Sequence, residues 1–168
     1  MSHLILSSSL NPNSKSRVLG QAVASEITRL GKKASFIDLR DHPLPFCDGG
    51  AAYGHPNVGP LTEMISTADS ITIASPIYNY DVNAVIKNLI ELTGKAWTGK
   101  RVGCVLAAGG DRSYMGVLGI TNSLMIDFRC HIIPRFVYAS ASDFAEDGSP
   151  SPAIVERTNQ FSEDITKT

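Results

Sequence analysis

The sequence predicts an α/β protein built on a doubly wound parallel sheet. Three observations carry that expectation. Short apolar runs alternate with amphipathic helical patterns along the whole chain, which is the signature of strand–helix–strand units with right-handed crossovers. The clearest runs, Ile71-Thr72-Ile73-Ala74 and Val102-Gly103-Cys104-Val105-Leu106, are apolar on both faces, as parallel strands covered by helices on both sides must be. Finally, 168 residues with 43% hydrophobic content suit one globular domain, expected to span 1–168, with no repeat or linker.

The elements follow in order. Residues 3–8 read as the first strand, and Ser7 to Arg17 form a hydroxyl-rich turn after it. From Ser16 to Leu30, Val18, Leu19, Ala22, Val23 and Ile27 recur at helical spacing, and Gly31 sits where a helix ends in a left-handed residue. A second strand is expected over 34–39. The stretch 40–60 is rich in proline and glycine and reads as one long irregular loop, a kind that is usually functional or interfacial. The third strand covers 70–75 and runs into Ser75-Pro76-Ile77-Tyr78-Asn79-Tyr80-Asp81. A helix from Asn83 to Thr93 closes on Gly94, and a fourth strand covers 102–108. Then come the loop Ala107 to Ser113, a helix from Met115 to Phe128, a fifth strand at 132–138, and a last helix opened by Ser151-Pro152.

Composition narrows the function classes. The formal net charge of −1 gives no basic surface for nucleic acid or acidic lipid, so any anion site is local. No apolar run approaches the ~18 residues of a membrane span, and the first residues lack the basic and apolar segments of a signal peptide. Cys47, Cys104 and Cys130 lie far apart without C-x-x-C spacing, which fits reduced thiols in the cytoplasm. His3, His42, His55 and His131 are scattered, so no metal site is expected. Gly94 to Arg101 nearly matches a phosphate-binding P-loop, but it ends in arginine and precedes a strand instead of following one. A serine-hydrolase elbow is missing, and no acid, base or nucleophile stands out as catalytic.

In open α/β sheets ligands lie beyond the carboxyl ends of the strands, and three loops sit there. In the first, a helix N-terminus offers unpaired N–H groups to an anion. Ser9, Asn11, Ser14 and Ser16 would add donors, and Lys15 and Arg17 charge; a plain helix cap is the simpler alternative. In the second, Pro76, Ile77, Tyr78 and Asn79 could hold the edge and face of a planar ring, or else turn the chain at a subunit interface. In the third, Ala108, Gly109, Gly110 and Asp111 could let a ring edge lie against backbone, or form an ordinary turn.

Together these loops resemble the NADPH-dependent FMN reductase family, a group of flavodoxin-like proteins that includes quinone, chromate and azo-dye reductases. That family's first loop reads G-S-x-R-x-x-S-x-[NS]-x, and Ser8 to Arg17 stand in its place. Its P-x-Y-N and L-K-N motifs appear as Pro76-Ile77-Tyr78-Asn79 and Ile86-Lys87-Asn88, its Leu-Pro pair as Leu44-Pro45, and its glycine loop as Gly109-Gly110. The likeness runs to about residue 140. Two positions depart from it: Ser8 replaces glycine, and Asn11 puts a neutral amide where the family has a charged arginine fork.

The resemblance implies a flavodoxin-like sheet of five parallel strands in the order 2-1-3-4-5, with helices on both faces. It implies FMN along the carboxyl edge, its phosphate held by Ser9, Asn11, Ser14, Lys15 and Ser16. Pro76 to Asn79 and Ala108 to Asp111 would flank the ring system. The implied reaction passes a hydride from NADPH or NADH to FMN and on to an acceptor such as a quinone or free flavin. An electron carrier, or a non-enzymatic FMN-binding protein, is the alternative. A homodimer or homotetramer is also implied, with the helix at 83–93 and the 40–60 loop as expected contacts.

Overall fold

The sheet's middle strands carry almost nothing but buried residues, and that dictates the layering. In the computed structural model, which describes residues 1–167, β3 (Ser70–Tyr78) and β5 (Arg101–Ala107) form the centre. Beside β3 lies β1 (Ser2–Ser7), and beyond it β2 (Lys33–Asp38). On the far side of β5 run two short parallel pieces, β6 (His131–Ile132) and β7 (Val137–Ala139). A further strand, β4 (Asp81–Val82), folds back antiparallel on β3.

The order β2-β1-β3-β5-β6 reproduces the doubly wound order expected, with seven strands in place of five. The two extra strands have local causes. Along the fifth strand, Ile132 pairs with Val102 but Val137 pairs with Val105, so five steps on the edge face three on β5. The surplus bulges out at Pro134, which has no N–H to give the ladder. The other addition, β4, arises because the segment after β3 is a tight hairpin rather than an open loop.

Alternating side chains send β1, β3 and β5 into two cores. On one face Leu4, Leu6, Ile71, Ile73 and Leu106 pack with Leu61, Ile65, Ile86, Leu89 and Leu124. These come from α2 (Val58–Thr67), α3 (Ala84–Thr93) and α4 (Leu118–Phe128). On the other face Ile5, Ala74 and Val105 meet Leu19, Val23 and Ile27 of α1 (Lys15–Arg29), and Phe161 and Ile165 of α5 (Pro152–Ile165). Two glycines allow close approach there: a Cβ on Gly103 would lie 2.6 Å from the Phe161 ring, and one on Gly20 2.8 Å from Ala74 Cβ.

Helix α2 corrects the expectation of an irregular 40–60. Its buried residues Val58, Leu61 and Ile65 are helically spaced, but Gly59 and Pro60 disguise the first turn, where neither breaks a hydrogen bond. Helix α4 begins later than expected, because Tyr114–Val117 forms a tighter 3₁₀ turn first. Among the described residues, no helix is long and apolar enough to cross a membrane.

Candidate functional site

At the carboxyl ends of β1, β3 and β5 the three loops meet around an open cleft of about 440 Å³, within the usual range for a small-molecule site, roughly 300–1,000 Å³. From the first loop it is lined by Ser9, Asn11, Asn13, Ser14, Lys15 and Ser16. Pro76, Ile77 and Tyr78 form one wall, and Ala107, Ala108 and Gly109 face them, with Ala141 at the rim. A second pocket of about 160 Å³, behind α4 around Cys104 and Phe136, is mostly apolar and has no comparable set of donors.

The first loop is held by hydrogen bonds to its own backbone. Ser8 is fully buried, its N–H and hydroxyl both on Ala74 O at 3.0 and 3.4 Å, which gives a serine a role where glycine stands in the resembled motif. Asn11 Oδ1 accepts from Asn13 N at 2.9 Å, an Asx turn that leaves its Nδ2 free for the cleft. Ser14 caps α1 by accepting from Arg17 N at 3.2 Å, and its hydroxyl lies 2.9 Å from that of Ser16. The helix's first amides, those of Lys15 and Ser16, precede any possible intrahelical acceptor, so they and the positive end of the helix dipole face this end of the cleft.

The two cations of this loop differ in placement. Lys15 reaches the rim, where its Nζ donates to Ala141 O at 3.1 Å and sits 5.0 Å above the Phe144 ring. Arg17 turns away from the cleft and lies buried behind the loop. It pairs with Asp38 at 2.7 Å and donates to the carbonyls of Ser9, Asn11 and Pro12. Asp38 is shared with Arg40 at 2.7 Å. Burial works against the Asp38 carboxylate, but the hydrogen bonds from Arg40 and Arg17 outweigh it and hold its pKa below the ordinary value.

The second wall is a β-hairpin. Ile77 pairs with Val82 and Tyr78 with Asp81, leaving a two-residue turn with φ of 52° at Asn79 and 64° at Tyr80. Positive φ at both positions is the type I′ geometry that matches strand twist. Asparagine tolerates it; tyrosine does so at a cost of about 1 kcal/mol. Asn79 therefore sits at the hairpin tip, next to Tyr78 of the wall but outside the cleft lining itself. Gly110 and Asp111 also stand outside the lining; the Gly110 carbonyl instead accepts from Tyr138 OH at 2.5 Å. Neither Gly109 nor Gly110 has a positive φ, and a Cβ on either would meet nothing within 4 Å. Neither is therefore required by a close neighbour or a special backbone, and of the two Gly109 lines the cleft, where a side chain would take up space.

Several residues matter that the sequence reading passed over. Asn83 is buried and donates to Ser8 O at 2.7 Å, tying the first loop to the start of α3. Ser75 Oγ lies 3.3 Å from Asn83 Oδ1, completing the link to β3. The Lys87-Asn88 pair of the resembled motif is structural here. Asn88 clamps the 40–60 loop through Pro45 O and Cys47 N, at 2.9 and 2.8 Å, and Lys87 pairs with Asp81 at 2.8 Å. A polar residue at the head of α3 was the only signal pointing to Asn83.

Comparison with known proteins bears on the family and the fold. A family model described as NADPH-dependent FMN reductase matches residues 1–145. The chain is 27% identical over 157 residues to an NAD(P)H-dependent FAD/FMN reductase of Geobacillus thermodenitrificans, a match spanning 90% of this chain and 84% of that protein. Among solved structures, a flavoenzyme NAD(P)H:(acceptor) oxidoreductase from Paracoccus denitrificans superposes with a TM-score of 0.76 at 20% identity, over 98% of this chain and 96% of that one. An FMN-dependent NADH-azoreductase from Bacillus anthracis, solved in complex with FMN, gives 0.73 at 12% identity, over 99% of this chain and all of its own. At these identities the two structures speak for the fold.

Proposed function

The chain belongs to the NADPH-dependent FMN reductase family, and from that premise we propose that it holds FMN in the cleft and passes reducing equivalents from NAD(P)H to a small acceptor such as a quinone or free flavin. The observation that carries this reading is one cleft with two chemically different ends. One end gathers hydroxyls, free amides and a helix N-terminus, the donor set a phosphate monoester needs. The other is a slot between the Pro76–Tyr78 strand and the Ala107–Gly109 backbone, open where Gly109 has no side chain, which suits a planar ring.

When bound, FMN supplies the redox chemistry, accepting two electrons and a proton as hydride from the nicotinamide and handing the electrons on. The chain's own part is position. Ser9, Ser14 and Ser16 offer hydroxyls to the phosphate, with the Lys15 and Ser16 amides beside them. Lys15 adds charge at the rim. Ile77 gives the slot an apolar edge, and Tyr78, about half exposed, offers a flat face at its mouth where a second ring can dock. Asn83 and Ser75 keep the two walls in register from beneath.

The same reading includes a homodimer or homotetramer. Beside the expected contacts at 83–93 and 40–60, where Phe46 is exposed, the exposed Tyr80, Tyr114, Met115, Leu118 and Ile126 offer further apolar surface for it. A second copy of the chain is the proposed occupant. A cytoplasmic setting suits NAD(P)H and the three free thiols.

Steady-state oxidation of NADPH and of NADH by the FMN-loaded protein, with a quinone or free flavin as acceptor, tests the activity. Sustained turnover is expected. A protein that binds FMN yet oxidises neither nucleotide with any acceptor would be an electron carrier instead.

A further inference from the structure

We infer that Arg17 is the positioning residue of the phosphate end, working from behind the loop rather than in the cleft. The inference rests on the FMN reading and goes beyond it by assigning a residue that does not line the site.

Arg17 is buried at 7% exposure in the first turn of α1, a setting arginine tolerates only when its donors are engaged. Its Nε donates to Asp38 Oδ2 at 2.7 Å. Nη1 donates to the carbonyls of Asn11 and Pro12, both at 3.0 Å, and Nη2 to that of Ser9 at 2.9 Å. Three carbonyls of the loop that faces the cleft are thus drawn backward onto one planar cation. Carbonyl oxygens carry partial negative charge, and left to turn forward they would repel an anion. In a trans peptide the N–H points opposite to its C=O, so holding the Ser9 carbonyl back turns the Leu10 amide the other way. Arg17's own amide is capped by Ser14 Oγ, so the same residue fixes the hydroxyl that stands next to Ser16.

Charge points the same way. Arg17 shares the Asp38 carboxylate with Arg40, which Asp41 also acts on, so Asp38 does not have to neutralise both guanidinium groups and Arg17 stays behind a loop whose residue 11 is a neutral asparagine. The planar fork matters as much as the charge, because a lysine ammonium cannot reach three carbonyls and a carboxylate at once.

The test compares a flavin with and without its phosphate. FMN and riboflavin are titrated into apoprotein of wild type, Arg17→Gln and Arg17→Lys, following flavin fluorescence, with thermal melts run alongside. Arg17→Gln is expected to weaken FMN binding by about tenfold to a hundredfold, the scale of one or two charge-assisted hydrogen bonds. Its riboflavin affinity should stay within about twofold of wild type on that same account. Arg17→Lys should recover part of the loss, and it carries the test alone if Arg17→Gln does not fold. Equal loss for FMN and riboflavin, or unchanged FMN affinity in a folded variant, overturns the inference. Wild-type protein that binds neither flavin contradicts the FMN reading itself, a different failure from a wild type that binds FMN beside an unaffected variant.

Discussion

Gly109 shows how a residue can suit what lies outside the protein. It adopts no backbone that requires glycine, faces no neighbour that would clash with a side chain, and lines the cleft. Gly109→Val is therefore expected to leave thermal stability almost unchanged, within about 0.5 kcal/mol as for a surface replacement, while lowering FMN affinity at least about tenfold on the scale of a steric misfit in a fitted site. Melts and FMN titrations of the same variant check both halves. The site was legible in the sequence to the extent that chemistry was written in residue type: hydroxyls at a helix start, and a glycine pair after a strand. Roles that depend on which way a side chain turns were not. Arg17 and Lys15 look equally free in sequence, yet one is buried on loop carbonyls and the other sits at the rim. Asn79 and Asn83 are four positions apart; the first belongs to a turn tip and the second to the buried link beneath the cleft.

Among the elements, the alternating pattern identified β1, β2, β3, β5 and helices α1, α3 and α5, because each presents a clean apolar face. It missed α2, whose first turn contains Gly59 and Pro60, and it merged β6 with β7, since a bulge at Pro134 leaves the apolar run intact while breaking the ladder. The hairpin after β3 was also hidden: Asn79-Tyr80 is not the usual asparagine–glycine turn, and Tyr80 takes a left-handed conformation that sequence rules assign to glycine. Packing between elements makes its own prediction. At Gly103 the Phe161 ring of α5 lies against the β5 backbone, where a Cβ would meet it at 2.6 Å. Gly103→Ala should destabilise the fold by about 1–3 kcal/mol, the usual cost of overpacking. Gly103→Ala combined with Phe161→Leu should recover part of that loss in denaturant titrations; a wild-type midpoint for the single variant would contradict this packing.

For the molecule as a whole, one carboxylate links the site to the acid limit of stability. Asp38 has a lowered pKa in the folded state, so the stability it contributes is complete above its unfolded value of about 3.9 and disappears as pH falls through the lower native value. Between pH 5 and 8 this group should add no pH dependence; below about pH 4, again the ordinary carboxylate value, unfolding should steepen. Asp38→Asn should flatten that acid limb, and pH-dependent melts of the two proteins measure the difference. The buried thiols add nothing in the neutral range, since burial pushes Cys104 up to about 12 and Cys130 up to about 11. FMN binding would rest on a cleft built from three strand ends, phosphate donors at one side and a ring slot at the other. Titration of FMN into the apoprotein is the direct test: saturable binding of one FMN per chain, tighter than that of riboflavin, is expected, and an absence of saturable binding, or equal affinity for the two flavins, would rule out this site.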